Sequence, residues 1–76
     1  MKAPAEREVI TAITRLAGDG YVPLNDVLLE LRVERRAAQR GMRRAINQGY
    51  VLERRGTDGR LNVAVASDGW SLLDAA

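Results

Sequence analysis

Arginine is the residue type with reactive or binding chemistry that clusters most strongly in this chain of 76 residues. Nine arginines lie within residues 32–60 against three acidic residues, which gives that stretch a net charge of +6. The rest of the chain holds three basic and seven acidic residues, a net charge of −4. A guanidinium group stays charged and can donate two parallel hydrogen bonds to a phosphate or to the edge of guanine. The uneven distribution therefore indicates one face that suits a polyanion.

Four of these nine arginines fall on one face of a helix that we predict over residues 34–48. Positions three and four apart share a face of a helix, and this face carries Arg36, Gln39, Arg40, Arg43, Arg44 and Asn47. Each pair of like charges at these spacings costs about 0.2–0.5 kcal/mol, and arginine in the first turn also opposes the helix dipole. A phosphate partner would reverse the sign of these terms, and the two amides suit adenine as arginine suits guanine. We therefore predict that this helix enters the major groove of double-stranded DNA.

The opposite side of the same helix is apolar and predicts how the helix packs on the core. Ala38, Met42, Ala45 and Ile46 lie within one arc of the helix, with Gly41 at its edge. Glycine in the middle of a helix costs about 1 kcal/mol relative to alanine, so its presence needs a packing reason. We expect another helix to pass close to Gly41.

Two amphipathic segments precede this helix. A first helix is predicted over Pro4–Ala17, because proline suits a first turn. Its apolar stripe comprises Val9, Ile10, Ile13, Leu16 and Ala17. A second, short helix is predicted over Asp26–Leu31 with Asn25 as its N-cap. Its buried face comprises Val27, Leu28 and Leu31. Between the two helices, Tyr21–Pro23 favours a short edge strand, because proline cannot donate a hydrogen bond to a neighbouring strand.

A β-hairpin is predicted after the third helix. Its strands are Tyr50–Arg55 and Arg60–Ala66, and Gly56–Gly59 joins them. The Asp-Gly pair in this turn supplies the positive φ angles that primed hairpin turns need. Arg55 and Arg60 flank the turn, which places them to reach phosphates or the adjacent minor groove.

A last short helix follows the hairpin. Ser67 or Asp68 is suited to cap it. Its apolar residues are Trp70, Leu72 and Leu73. Two interpretations of Trp70 remain open: it covers the hydrophobic core, or it joins the two leucines in a surface for self-association.

The order helix, short strand, helix, helix, hairpin, helix resembles the winged helix-turn-helix superfamily of DNA-binding proteins. The most similar stretch runs from Ala38 to Asp58, where a basic helix leads through a Gly-hydrophobic-hydrophobic junction into a charged wing. This wing is similar to that of MarR-type regulators, with aspartate and arginine two positions apart at Asp58 and Arg60. The resemblance implies a small α+β fold with a three-helix core, a two- to three-stranded antiparallel wing over residues 50–66 and a short C-terminal helix.

The chain lacks the residues on which most enzymatic and metal sites depend. It has no cysteine and no histidine, and therefore no thiolate nucleophile, no imidazole base and no usual zinc ligand. Its longest apolar run, Val63–Ala66, is far too short to span a membrane. We expect a cytoplasmic binding protein without catalytic residues, metal, cofactor, membrane contact or small-molecule ligand.

We predict that residues 1–76 form a single winged helix-turn-helix domain that binds double-stranded DNA, as a transcriptional regulator or as an accessory factor in phage or plasmid recombination or replication. The alternative is a winged helix that binds protein through its basic face or through the apolar last helix. RNA is disfavoured, because three aromatic residues give no platform for stacked bases. The oligomeric state stays open, with a homodimer on a palindromic site as one alternative.

Overall fold

The computed structural model describes residues 2–74, and its helices and strands follow the predicted order. They are α1 (Glu6–Ala17), β1 (Val22–Pro23), α2 (Leu24–Glu30), α3 (Arg35–Asn47), β2 (Val51–Arg55), β3 (Leu61–Val65) and α4 (Ser67–Asp74). The predicted α+β class is therefore confirmed, with three helices before the hairpin and a short helix after it.

The strands form one antiparallel sheet in the order β1-β3-β2. β2 pairs with β3 from Val51 opposite Val65 to Arg55 opposite Leu61. β1 has two residues and ends at Pro23, so the predicted edge strand is confirmed. Proline is tolerated there because an edge strand has a neighbour on one side only.

The core between the helices and the sheet is apolar. Among residues 2–74, no polar or charged residue is buried. The largest fully buried side chains are Val9, Ile10, Ile13, Val27 and Val63. Because apolar burial is the main driving force for so small a fold, the charged side chains are left at the surface. Within the described part of the chain, no helix is both long enough and apolar enough to cross a membrane.

Leu16 departs from the predicted apolar stripe of α1. It is 42% exposed, although helical spacing places it on the same side as Ile13. The buried residues of α1 end at Ile13, because the last turn of the helix lies at the rim of the core. The predicted stripe is therefore wrong at Leu16 and confirmed at its other residues, since Ala17 is partly buried against the core.

The segment before α1 packs against α3. α1 begins at Glu6 rather than at Pro4, and Pro4 is buried. A Cβ on Gly41 would come within 2.7 Å of Cγ in the Pro4 ring and within 2.8 Å of the Pro4 carbonyl oxygen. The close approach predicted at Gly41 is therefore confirmed, but the neighbour is a residue outside any helix rather than another helix.

α2 begins two residues earlier than predicted. Pro23 takes the N-cap position and Leu24 is the first helical residue, so the prediction of Asn25 as N-cap is wrong. Nη2 of Arg35 instead donates a hydrogen bond of 2.7 Å to Oδ1 of Asn25. The Asn25 side chain thus links the start of α2 to the start of α3.

The connection between α2 and α3 turns at Arg32. This residue has a φ of 54°, in the left-handed region that side chains with a Cβ rarely adopt. The left-handed residue lets the chain change direction within residues 31–34, at a cost of about 1 kcal/mol.

The hairpin turn differs in type from the prediction. Gly59 has a φ of 82°, whereas Asp58 has no positive φ, so the prediction of a primed turn is wrong. The N–H of Gly59 donates to the carbonyl of Gly56 at 3.0 Å, and the N–H of Gly56 donates to the carbonyl of Arg60 at 2.7 Å. This is a type I turn closed by a G1 bulge, the usual geometry of a three-residue hairpin loop.

α4 covers one side of the core. It begins at Ser67, so Ala66, rather than Ser67 or Asp68, precedes its first turn. The carbonyl of Ala66 accepts a hydrogen bond of 3.1 Å from the N–H of Trp70. Three apolar side chains of the helix are partly buried against the core: Trp70, Leu72 and Leu73. This packing supports the interpretation of Trp70 as a cover for the core.

Candidate nucleic-acid interface

The outward side of α3 lines an open depression on the surface. All six side chains predicted on this helix line it and are exposed: Arg36, Gln39, Arg40, Arg43, Arg44 and Asn47. We call these six residues the α3 face. Leu24 and Leu28 of α2 form an apolar part of the same depression. The structure therefore brings the α3 part of the predicted site together on one surface.

The orientation of the α3 face is set by the residues behind it. The buried residues of α3 are Ala37, Ala38, Gly41, Met42 and Ala45. Ile46 is half-buried at the edge of this arc. Because the buried arc determines how α3 is rotated about its axis, the α3 face cannot turn from solvent without exposing the core.

The helix that carries the α3 face has hydrogen-bond donors but no acidic residue of its own. Residues 35–47 contain neither aspartate nor glutamate. Among the described residues that line the depression, the charged ones are arginines. Positive charge concentrated in this way attracts an anionic ligand and raises its rate of encounter.

Two carboxylates from other elements reach arginines of the α3 face. Nη2 of Arg43 lies 3.3 Å from Oε2 of Glu53 on β2, and Nε of Arg44 lies 3.9 Å from Oε1 of Glu6 on α1. The repulsion predicted among the arginines is therefore partly relieved inside the molecule, which corrects the expectation that an external phosphate alone would relieve it. Both arginine side chains stay more than half exposed, and such surface pairs contribute only about 0–1 kcal/mol. Both guanidinium groups therefore stay accessible to an external anion.

Arg54, which the sequence places outside the predicted site, has a partner of its own. Its guanidinium carbon lies 3.9 Å from the centroid of the Tyr21 ring, an arrangement typical of a cation–π contact. β1 and β2 flank β3 in the sheet, so one face of the sheet brings together residues 21 and 54. Sequence spacing contains no signal for this contact, because it depends on the strand order.

The two remaining predicted residues lie on the hairpin of β2 and β3, which we call the wing. Nη1 of Arg55 donates a hydrogen bond to the carbonyl of Gly59. The backbone N–H of Arg60 donates to Oδ1 of Asp58 at 3.0 Å, and its Nε lies 4.0 Å from Oδ2 of the same aspartate. The Arg60 side chain is nevertheless 82% exposed. The Arg55 side chain is thus held by the turn, whereas the turn holds Arg60 through its backbone, and both belong to a different element from the α3 face.

Residues of other elements near the α3 face are missing from the predicted site. Glu53 and Glu6 contact its arginines, and Leu24 and Leu28 line the depression beside it. Sequence gives no signal for these contacts, since each joins α3 to an element whose relative position is set by tertiary packing.

Comparison with known proteins gives the fold. No protein-family model matches this chain, and no curated protein sequence matches it. A solved structure from a study of how 6-hydroxynicotinic acid regulates DNA binding by BpsR of Bordetella bronchiseptica matches 96% of this chain, with a TM-score of 0.71 and 17% sequence identity. The chain spans about 55% of the length of that BpsR chain. The similarity shows that this chain has the winged-helix fold that its sequence predicts.

Proposed function

We propose that this chain binds double-stranded DNA in the cytoplasm and acts as a transcriptional regulator. The observation that carries the proposal is the α3 face, where cationic and amide side chains are exposed on one surface and backed by buried residues. The structural likeness to BpsR, described as a protein with regulated DNA binding, supports it. An accessory role in phage or plasmid recombination or replication would use the same surface. The genomic position of the preferred sequence separates that role from regulation.

In this proposal α3 lies in the major groove. Its 13 residues give a helix about 20 Å long, and the groove, about 12 Å wide, accepts one helix. Arg36, Arg40 and Arg43 are suited to the O6 and N7 atoms of guanine, because a guanidinium donates paired hydrogen bonds. Gln39 and Asn47 are suited to the N6 and N7 atoms of adenine for the same geometric reason.

The wing contacts the backbone or the minor groove beside that site. Arg55 and Arg60 lie at its tip, so they extend the positive surface beyond α3. Arg44, at the side of α3 next to α1, extends it in another direction. Contacts to phosphates position a protein on the duplex without reading its sequence. We therefore propose that these three arginines contribute mainly to the affinity for DNA, and that the centre of the α3 face contributes the sequence preference.

The salt dependence of binding tests the proposal. Fluorescence anisotropy measures the affinity for a labelled duplex of random sequence over a series of salt concentrations. Four to six neutralised phosphates give a slope of log affinity against log salt of about −4 to −5. A slope near zero contradicts the proposal, as does an absence of binding below about 10 μM at low salt.

Arg15→Gln is the matched control for Arg44→Gln in this titration. Arg15 pairs with Glu30 at 2.9 Å and lies outside the α3 face. Each variant removes one guanidinium group and the same charge. The slope should fall in magnitude by about one for Arg44→Gln and stay nearly constant for Arg15→Gln.

A protein partner is the second candidate. Leu29 is 72% exposed and Leu52 is 49% exposed, and exposed apolar side chains are typical of contact surfaces when they form a patch. The last helix gives this candidate less support than the sequence predicts, because its apolar side chains pack against the core. A folded chain that binds no duplex would favour a protein partner.

The oligomeric state belongs to the same proposal. Selection of bound duplexes from a random pool shows whether the preferred sequence is a single site or two inverted half-sites. Half-sites separated by about ten base pairs indicate a homodimer with two-fold symmetry, whereas one short asymmetric site indicates a monomer.

A further inference from the structure

We propose that Glu53 positions Arg43 for contact with a base and thereby determines sequence specificity, an inference that rests on the proposed DNA binding. Oε2 of Glu53 accepts a hydrogen bond of 3.3 Å from Nη2 of Arg43. Glu53 belongs to β2 and Arg43 to α3. The pair therefore joins the wing to the helix that would enter the groove.

The register of the sheet directs Glu53 toward α3. Alternate residues of a strand point to opposite sides of the sheet, and Val51, two positions earlier, is buried opposite Val65. Glu53 shares that side of the sheet and pairs with Val63, which is fully buried. Its side chain is only 25% exposed. The carboxylate thus lies where the core ends and the α3 face begins, on a strand that pairs with β3 along its whole length.

The second carboxylate near the α3 face holds its arginine less closely. Nε of Arg44 and Oε1 of Glu6 are 3.9 Å apart, which is beyond hydrogen-bond distance. This pair contributes attraction without fixing the direction of the guanidinium. Orientation of the kind proposed for Arg43 needs a directional bond, so we do not extend the inference to Arg44.

A carboxylate at the position of Glu53 has opposite effects on affinity and on specificity. Its negative charge weakens the attraction to every phosphate of a duplex. A guanidinium has five N–H donors, so a bond at Nη2 leaves others for a base while it restrains Arg43 from swinging toward the backbone. Because backbone contacts carry no sequence information, Glu53 reduces binding to random DNA more than binding to the preferred sequence.

Two substitutions of Glu53 separate charge from orientation. Glu53→Gln and Glu53→Ala remove the same charge, but glutamine keeps an oxygen that accepts a hydrogen bond from Arg43. Selection from a random pool first identifies the preferred duplex, and anisotropy then gives the affinities for that duplex and for a scrambled one. We expect affinity for the scrambled duplex to rise about threefold in both variants. The ratio of the two affinities should fall about fivefold in Glu53→Ala, the lower end for one base contact, and less in Glu53→Gln.

Two controls connect this effect to Arg43. Glu30→Ala removes the carboxylate that pairs with Arg15, outside the α3 face, so it should leave the ratio unchanged. In an Arg43→Ala background, Glu53→Ala should no longer change the ratio, because the group that it orients is absent. Circular dichroism and thermal melting verify that each variant is folded.

The outcomes separate the inference from the function on which it rests. An unchanged ratio in Glu53→Ala, or an equal fall with and without Arg43, overturns the inference and leaves DNA binding in place. Binding without any preferred sequence in the pool also overturns it. If the unmodified chain binds no duplex at all, the proposed function fails and this inference fails with it.

Discussion

The α3 face and the tip of the wing are both rich in arginine, yet the molecule holds their side chains differently. α3 is anchored along its length by buried residues such as Met42 and Ala45, so the core determines where each Cα atom lies. At the tip of the wing, the Arg55 side chain bonds within its own turn, whereas the Arg60 side chain is 82% exposed. Contact with a base needs a fixed position, whereas contact with a phosphate tolerates variation. The difference favours base contacts for α3 and backbone contacts for the wing.

Truncation of Met42, which anchors α3 in the core, should have the largest effect, and that effect is on stability. Met42 is 2% exposed, and Met42→Ala leaves a cavity behind the α3 face. We expect a loss of about 2–5 kcal/mol in the free energy of unfolding, measured by chemical denaturation. Leu29→Ala is the control, because Leu29 is 72% exposed and its loss should cost less than about 0.5 kcal/mol. Equal stability of the two variants would contradict the anchoring of α3 through Met42.

Truncation within the α3 face should relax sequence preference. We expect Arg40→Ala to lose about 1–3 kcal/mol of binding free energy on the preferred duplex and much less on a scrambled one. Anisotropy with duplexes substituted one base pair at a time locates the position at which preference disappears. Equal losses on all duplexes would indicate that Arg40 contacts the backbone rather than the bases.

Truncation at the tip of the wing should have a smaller and more uniform effect. Arg60→Ala removes a side chain that is 82% exposed, and we expect affinity to fall about threefold on every duplex. The slope of log affinity against log salt should decrease in magnitude by about one, and the base preference should stay the same. A new tolerance at a single base pair would show that the wing reads sequence as well.

The turn before α3 and the turn of the wing differ in the type of their left-handed residue. Both contain a left-handed residue, which is Gly59 in the wing but Arg32 before α3. We expect Arg32→Gly to raise the free energy of unfolding by about 1 kcal/mol, because glycine has no Cβ to strain that conformation.

Two matched variants test the cause of this stabilisation. Arg32→Ala removes the same charge but keeps a Cβ, so it should show no comparable gain in thermal or chemical denaturation. Gly59→Ala should lose about 1 kcal/mol for the converse reason. A gain in Arg32→Ala equal to that in Arg32→Gly would assign the effect to charge instead of backbone strain.

Local patterns predict much of this molecule from its sequence. Spacing at three and four residues identifies the buried arc of α3 and therefore the six residues of its exposed face, because a regular helix converts sequence position into direction. The edge strand at Pro23 follows from the chemistry of one residue. Both inferences depend only on neighbours along the chain.

Contacts between separate elements could not be predicted from local sequence patterns. Glu53 reaches Arg43, and Pro4 packs on Gly41, only because separate elements meet at particular angles. The hairpin shows a subtler limit. An Asp-Gly pair is compatible with a primed turn and with a type I turn closed by a bulge, and the chosen turn has its single left-handed residue at Gly59. Tertiary packing determines the first two contacts, whereas one dipeptide does not distinguish between the two turn types.

The strand order has a consequence for how separate copies of the molecule behave. β1 and β2 are the two edges of the sheet. An open edge can pair with a strand from another copy, which leads to aggregation. β1 is short and ends in proline, while β2 carries three consecutive charged residues at positions 53–55. Charge and proline are the features that discourage such intermolecular pairing. The guanidinium groups of β2 therefore disfavour pairing between two copies through this edge.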